Sequence, residues 1–198
     1  MGKSIIIVEG SNDLKFICKL LSCSSQNNIK PYDNGGNKNQ KKDNETNILR
    51  NFIQPKSPHN ILIKAEQGKN NVFSLVNNII NFVFEHYDLE LYIIFDHDNK
   101  NPEDDITDFI KKIKANKMIN SKSFDIGFKN TGLIIKDDLF KWYISITAGK
   151  TKRTIIAYTF KKYLENTLKF DKNKPETLDE KIIEFICEHN TELESLFE

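Results

Sequence analysis

The chain has 198 residues, 38% hydrophobic and 29% charged, enough to bury a core of its own without disulfide staples. A formal net charge of +1 does not by itself point to a nucleic-acid binder, and the longest apolar runs are strand-sized, far short of a membrane span. Cys18, Cys23 and Cys187 lack any metal-binding spacing and the N-terminus lacks a secretory pattern, so the expected setting is cytoplasmic, with reduced thiols.

Residues 5–8, Ile-Ile-Ile-Val, form a β-branched run expected of a strand buried on both faces. The run ends in Glu9-Gly10, and Ser11 or Asn12 is placed to cap a helix with Leu14, Phe16, Ile17, Leu20 and Leu21 on one stripe. Residues 24–47 are polar, centred on Asn34-Gly35-Gly36-Asn37, and are expected to be a loop insertion. A short helix over 46–53 follows, stopped by Pro55 and Pro58.

Residues 61–63 are the next strand, 67–71 a turn, and 72–84 a helix with Val72, Leu75, Val76, Ile79, Ile80 and Val83 facing inward. Residues 91–95 carry the strongest core-strand signal and run directly into Asp96-His97-Asp98-Asn99. Pro102 and the acids Glu103, Asp104 and Asp105 suit the N-terminal turn of another helix. Further on, 124–128, 133–135 and 142–146 read as strands, while 153–164 and 178–187 read as helices. Residues 172–175 are the best hinge candidate.

This order predicts the α/β class: an open, mostly parallel sheet with helices on both faces over residues 1–150. Residues 151–198 are expected to form a C-terminal helical extension packed on it. Glu9, Gly68 and the pair Asp96 and Asp98 all fall just past strand C-termini, the edge at which open α/β sheets bind ligands. Carboxylates gathered there would repel one another, and a hard divalent cation relieves that repulsion. Asp96 and Asp98 alternate by two and so face the same side, with His97 directed away.

These segments resemble the Toprim family. Residues 5–13, Ile-Ile-Ile-Val-Glu-Gly-Ser-Asn-Asp, followed by an amphipathic helix, look like its first motif. Residues 91–98, Leu-Tyr-Ile-Ile-Phe-Asp-His-Asp, look like its Asp-x-Asp motif, and 61–72, with Gly68 in the turn, like the strand–Gly–helix unit between them. The resemblance covers roughly the first half of the chain, interrupted by the insertion. In style it is closest to small stand-alone Toprim-like proteins and to the nuclease half of overcoming-lysogenization-defect-type proteins.

The resemblance implies a Toprim-like sheet with Glu9 as a metal-associated general acid/base and Asp96 and Asp98 as ligands of Mg²⁺ (or Mn²⁺). It implies a further, water-mediated ligand at Asp13, close passage of the chain past the metal at Gly10, and a cofactor-side turn at Gly68. The chemistry would be phosphodiester hydrolysis on DNA or RNA, with Lys69, Lys150 or Arg153 offsetting phosphate charge. Primase, topoisomerase and ATP-driven activities are not expected: there is no zinc ribbon or tyrosine-nucleophile domain, and Gly149-Lys150-Thr151 lacks the upstream glycine of a phosphate loop.

Alternatives stay open. The chain could be a non-catalytic module that binds nucleic acid or a partner protein, or pairs as a homodimer. A haloacid-dehalogenase-like phosphatase would need Thr where Lys100 stands. Lys111, Lys112, Lys114 and Lys117, and likewise Lys150, Lys152 and Arg153, are basic clusters that either meet phosphates or only solvate a face. Glu103, Asp104 and Asp105 are read as helix-terminal charges, and Tyr92, Phe95, Trp142 and Tyr143 as core aromatics. A base-stacking platform would instead need such rings on an exposed face beside a basic groove.

Overall fold

Ile5, Ile6, Ile7 and Val8 are buried on both sides of the strand they form, which places that strand inside the sheet. The computed structural model describes residues 2–22, 27–33, 43–97, 101–115, 124–135, 139–171, 173–194 and 196. In chain order these form β1 (Lys3–Val8), α1 (Ser11–Leu21), β2 (Ile29–Asp33), α2 (Asp43–Ile53), β3 (Ile61–Ala65), α3 (Lys69–Glu85), β4 (Leu89–Asp96) and α4 (Pro102–Lys114). Then come β5 (Phe124–Ile135), β6 (Leu139–Ala148), β7 (Thr151–Phe160), α5 (Leu164–Thr167), α6 (Leu178–Glu188) and α7 (Asn190–Glu194).

The strands make one seven-stranded sheet in the order β2-β3-β1-β4-β7-β6-β5. The pairs from β2 through β7 are parallel, whereas β7-β6 and β6-β5 are antiparallel. The fold is thus an open α/β sheet, mostly parallel, with helices on both faces. Ile6, Val8, Ile63, Ile94 and Phe160 pack against α1, α6 and α7 on one face. Ile5, Ile7, Leu62, Ile93, Phe95 and Trp142 pack against α2, α3 and α4 on the other. Alternation along each strand divides its residues between these two cores.

From β1 the chain crosses through α1 toward β2, and from β4 it crosses through α4 toward β5 at the opposite edge. The two crossovers use opposite faces, so a crevice opens between the C-terminal ends of β1 and β4. This is the switch point at which such sheets bind ligands.

Two expectations need correction. The polar stretch 24–47 contains β2, an edge strand paired in parallel with β3; its centre, 34–42, lies outside the described residues. The expected helix over 153–164 is instead strand β7, paired with both β4 and β6. Residues 155–160 are almost all buried, and a strand covered on both faces loses the alternation that distinguishes it from a buried helix. Residues 151–160 therefore belong to the sheet, and the helical extension begins only at α5. Among the described residues no helix is long and apolar enough to cross a membrane.

Candidate functional site

The end of β1 is fastened to both neighbours. The Glu9 carbonyl accepts a hydrogen bond from Gly68 N (2.8 Å), at the β3–α3 turn. Its carboxylate Oε2 accepts one from Asp96 N (3.2 Å), at the end of β4. The turn is tight: Gln67 has φ 47° and Gly68 φ 112°. Gly68 has open space around its α-carbon, so conformation rather than crowding calls for glycine there. Gly10 differs, with an extended backbone at φ −147°. Its N–H donates to Asp13 Oδ2 (2.8 Å), satisfying a helix-start donor of α1 with an acid from the first turn.

Asp13 and Asp96 are each only 6% exposed. Asp96 Oδ2 accepts a hydrogen bond from Leu164 N (3.3 Å), at the start of α5, while its buried Oδ1 accepts none from the described residues. Next along α5, Glu165 accepts from Asn12 Nδ2 (3.0 Å) and ties that short helix to α1. Burial first, then the charges of Asp13 and Glu9, push the Asp96 carboxyl up to about 9; Leu164 N–H opposes this and Glu165 adds to it. Burial likewise raises Asp13 to about 7, opposed by Gly10 N–H and reinforced by Glu9 and Glu165. Four carboxyl groups therefore act on one another across a cleft of ≈ 340 Å³, which Ser11, Asn12, Gln67 and Tyr163 also line.

Glu9, Asp13 and Asp96 meet in this cleft, with Gly10 and Gly68 on its wall. Asp98 lies outside the described residues. Among the described residues no three His, Cys, Asp or Glu side chains converge into a ready-made metal cage.

The three basic candidates do not line the cleft. Lys69 Nζ is 3.0 Å from Asp105 Oδ2 and sits over the Phe95 ring, on the sheet face opposite Asp96. Arg153 stacks on Tyr87 and donates to its carbonyl (3.1 Å). Because Asp96 pairs with Phe160 in parallel register, Arg153 lies seven residues back along β7, roughly 23 Å away. Lys150 is farther still, at the exposed β6–β7 turn. Among the described residues the cleft lining includes no lysine or arginine.

Asp105, read from sequence as a helix-terminal charge, is buried and lies 3.0 Å from His97 Nδ1 as well as from Lys69. It fastens α4 to α3 and to the end of β4. Sequence reasoning missed Glu165, Asn12 and Tyr163. Recognising 151–160 as a strand parallel to β4 is the signal that would have brought residues 163–165 to this edge.

Scanned against family models, curated proteins and solved structures, the chain matches none.

Proposed function

We propose that the chain is a Toprim-type, Mg²⁺-dependent phosphodiester hydrolase acting on DNA or RNA at the β1–β4 crevice. The observation that carries this reading is Asp96, a buried carboxyl with one oxygen accepting no hydrogen bond from the described residues, facing the charges of three other acids. A divalent cation is the partner that such a group lacks.

The donor set fits Mg²⁺ rather than a metal needing a full protein cage. Mg²⁺ binds through one or two carboxylates and retains several waters, so the absence of a three-ligand cluster among the described residues is compatible with it. Asp96 Oδ1 would be the direct ligand, with Asp13 and Glu9 near enough to hold its waters. Mn²⁺ has the same ligand preference. When bound, the cation supplies Lewis-acid activation of water and offsets phosphate charge.

The protein's own part is proton transfer and positioning. Glu9, held at the end of β1 by Gly68 and Asp96, takes the proton of the attacking water as the new P–O bond forms; the leaving oxygen departs from phosphorus and is protonated from solvent.

The test is cleavage of single- and double-stranded DNA and RNA with Mg²⁺, Mn²⁺ or EDTA. Glu9→Gln and Asp96→Asn are expected to lower the rate by about 100-fold or more. Equal rates in the variants would overturn the reading. One observation favours a second reading, a non-catalytic nucleic-acid or protein interaction module: no cation from the described residues lines the cleft to meet the phosphate. That module predicts binding without turnover, unaffected by neutralising the acids.

A further inference from the structure

β5, β6 and β7 are 12, 10 and 10 residues long, against 5 or 6 for β1, β2 and β3. The antiparallel strands therefore run past the parallel part of the sheet. On the face carrying Asp96, α1, α6 and α7 bury Tyr158 and Phe160, but residues nearer the β6–β7 turn are open. Tyr143 is 37% exposed there, which corrects its expected place in the core; Trp142, on the opposite face, is fully buried.

Cross-strand register assembles that surface. Lys129, Tyr143 and Ile156 form one row, and Gly127, Ser145 and Thr154 the next. Lys152 stands beyond them, beside Thr147. Together Gly127, Lys129, Tyr143, Ser145, Lys152 and Thr154 line a groove of ≈ 540 Å³, with no acid among the described residues of its lining. Neither Lys129 nor Lys152 is in an ion pair among the described residues. A third cation, Lys141, lies 5.6 Å from the Tyr143 ring centroid. Outside the groove lining, among the described residues, the same open part of the face carries Asp125, opposite Thr147, and Glu90 on β4, whose carboxylate accepts from the Tyr92 hydroxyl (3.0 Å).

From strand spacing, Lys129 and Lys152 are diagonal corners roughly 17 Å apart, with Tyr143 and Ser145 between them. Gly127 keeps the floor low, since a Cβ there would meet nothing within 4 Å.

We propose that this groove binds single-stranded nucleic acid, with a base stacked on Tyr143 and the backbone crossing Lys129 and Lys152. Charge complementarity selects the occupant: an acid-free, lysine-cornered groove suits a polyanion, and an exposed ring between the lysines suits the flat face of an unpaired base. The site lies beyond the acidic cleft and does not depend on catalysis there.

The test is fluorescence anisotropy with labelled oligo-dT and oligo-U in EDTA, so that binding is read without cleavage and fails or succeeds independently of the nuclease assay. Tyr143→Ala is expected to weaken binding about tenfold, with Tyr143→Phe retaining it. Lys129→Gln/Lys152→Gln should lower the salt slope by roughly 1, while the charge-matched control Lys56→Gln/Lys114→Gln leaves it unchanged. Gly127→Val, in an ordinary extended strand, should block the groove while the thermal melt stays cooperative. No binding at low salt, equal affinity for duplex or polyglutamate, or wild-type binding by Tyr143→Ala and Gly127→Val would each overturn the proposal.

Discussion

A carboxyl group buried beside three other acids keeps its proton into the alkaline range, and Asp96 does so up to about 9. Its unfolded value is about 3.9, so the folded state binds the extra proton. The resulting stability is fully present below about pH 3.9 and lost as pH rises toward 9. Asp96→Asn mimics the protonated form. In EDTA the variant should match wild type near pH 4 and melt several degrees higher at pH 8, on the order of 1 kcal/mol or more. Mg²⁺ should raise the wild-type melting temperature at pH 8 and leave that of the variant unchanged. A pH-independent difference would sink this account of the site. The positions of Glu9, Asp13 and Asp96 were legible because each ends a strand or opens a helix. Glu165 was not, because nothing local marks an acid five residues past a misread strand.

At the scale of elements, legibility followed from whether one face or two was covered. The stripes of α1, α3 and α4 are amphipathic and were readable. Strand β7 was not, since Ile155, Ala157 and Thr159 face one core while Tyr158 and Phe160 face the other. β2 escaped notice as an edge strand with no residue fully buried. The β3–α3 junction gives a test at this scale. Gly68→Ala should cost about 1–2 kcal/mol in urea unfolding, because φ 112° is unfavourable for a residue with a Cβ. Gly10→Ala should cost less than about 0.5 kcal/mol, because its backbone is extended and the new Cβ would be in ordinary contact, 3.5 Å from Asp13 Oδ2. Similar losses at both positions would refute the conformational argument.

For the whole molecule, the C-terminal helices close one face of the sheet. Leu178, Ile182, Phe185, Ile186, Leu193 and Leu196 are buried against α1 and its neighbours, with Phe185 edge-on to Phe16 and the Tyr158 hydroxyl donating to the Leu196 carbonyl. Burial of six such side chains contributes on the order of 10 kcal/mol, comparable with the net stability of an ordinary domain. Ending the chain after Asp171 should therefore abolish the cooperative melt and expose surface that binds an apolar dye. A truncated chain melting like the full one would make residues 172–198 a separate unit.

The sequence by itself determined the open α/β class and the edge at which Glu9 and Asp96 meet, because buried β-branched runs followed by helix starts are local patterns. Only the tertiary structure decided which cations are near that edge. Strand order and direction carry Lys150 and Arg153 to the far end of the sheet, turn Lys69 toward Asp105, and bring in Glu165. The same long-range pairing sets Tyr143 on an uncovered face between lysines from two other strands, an arrangement that no local sequence pattern encodes.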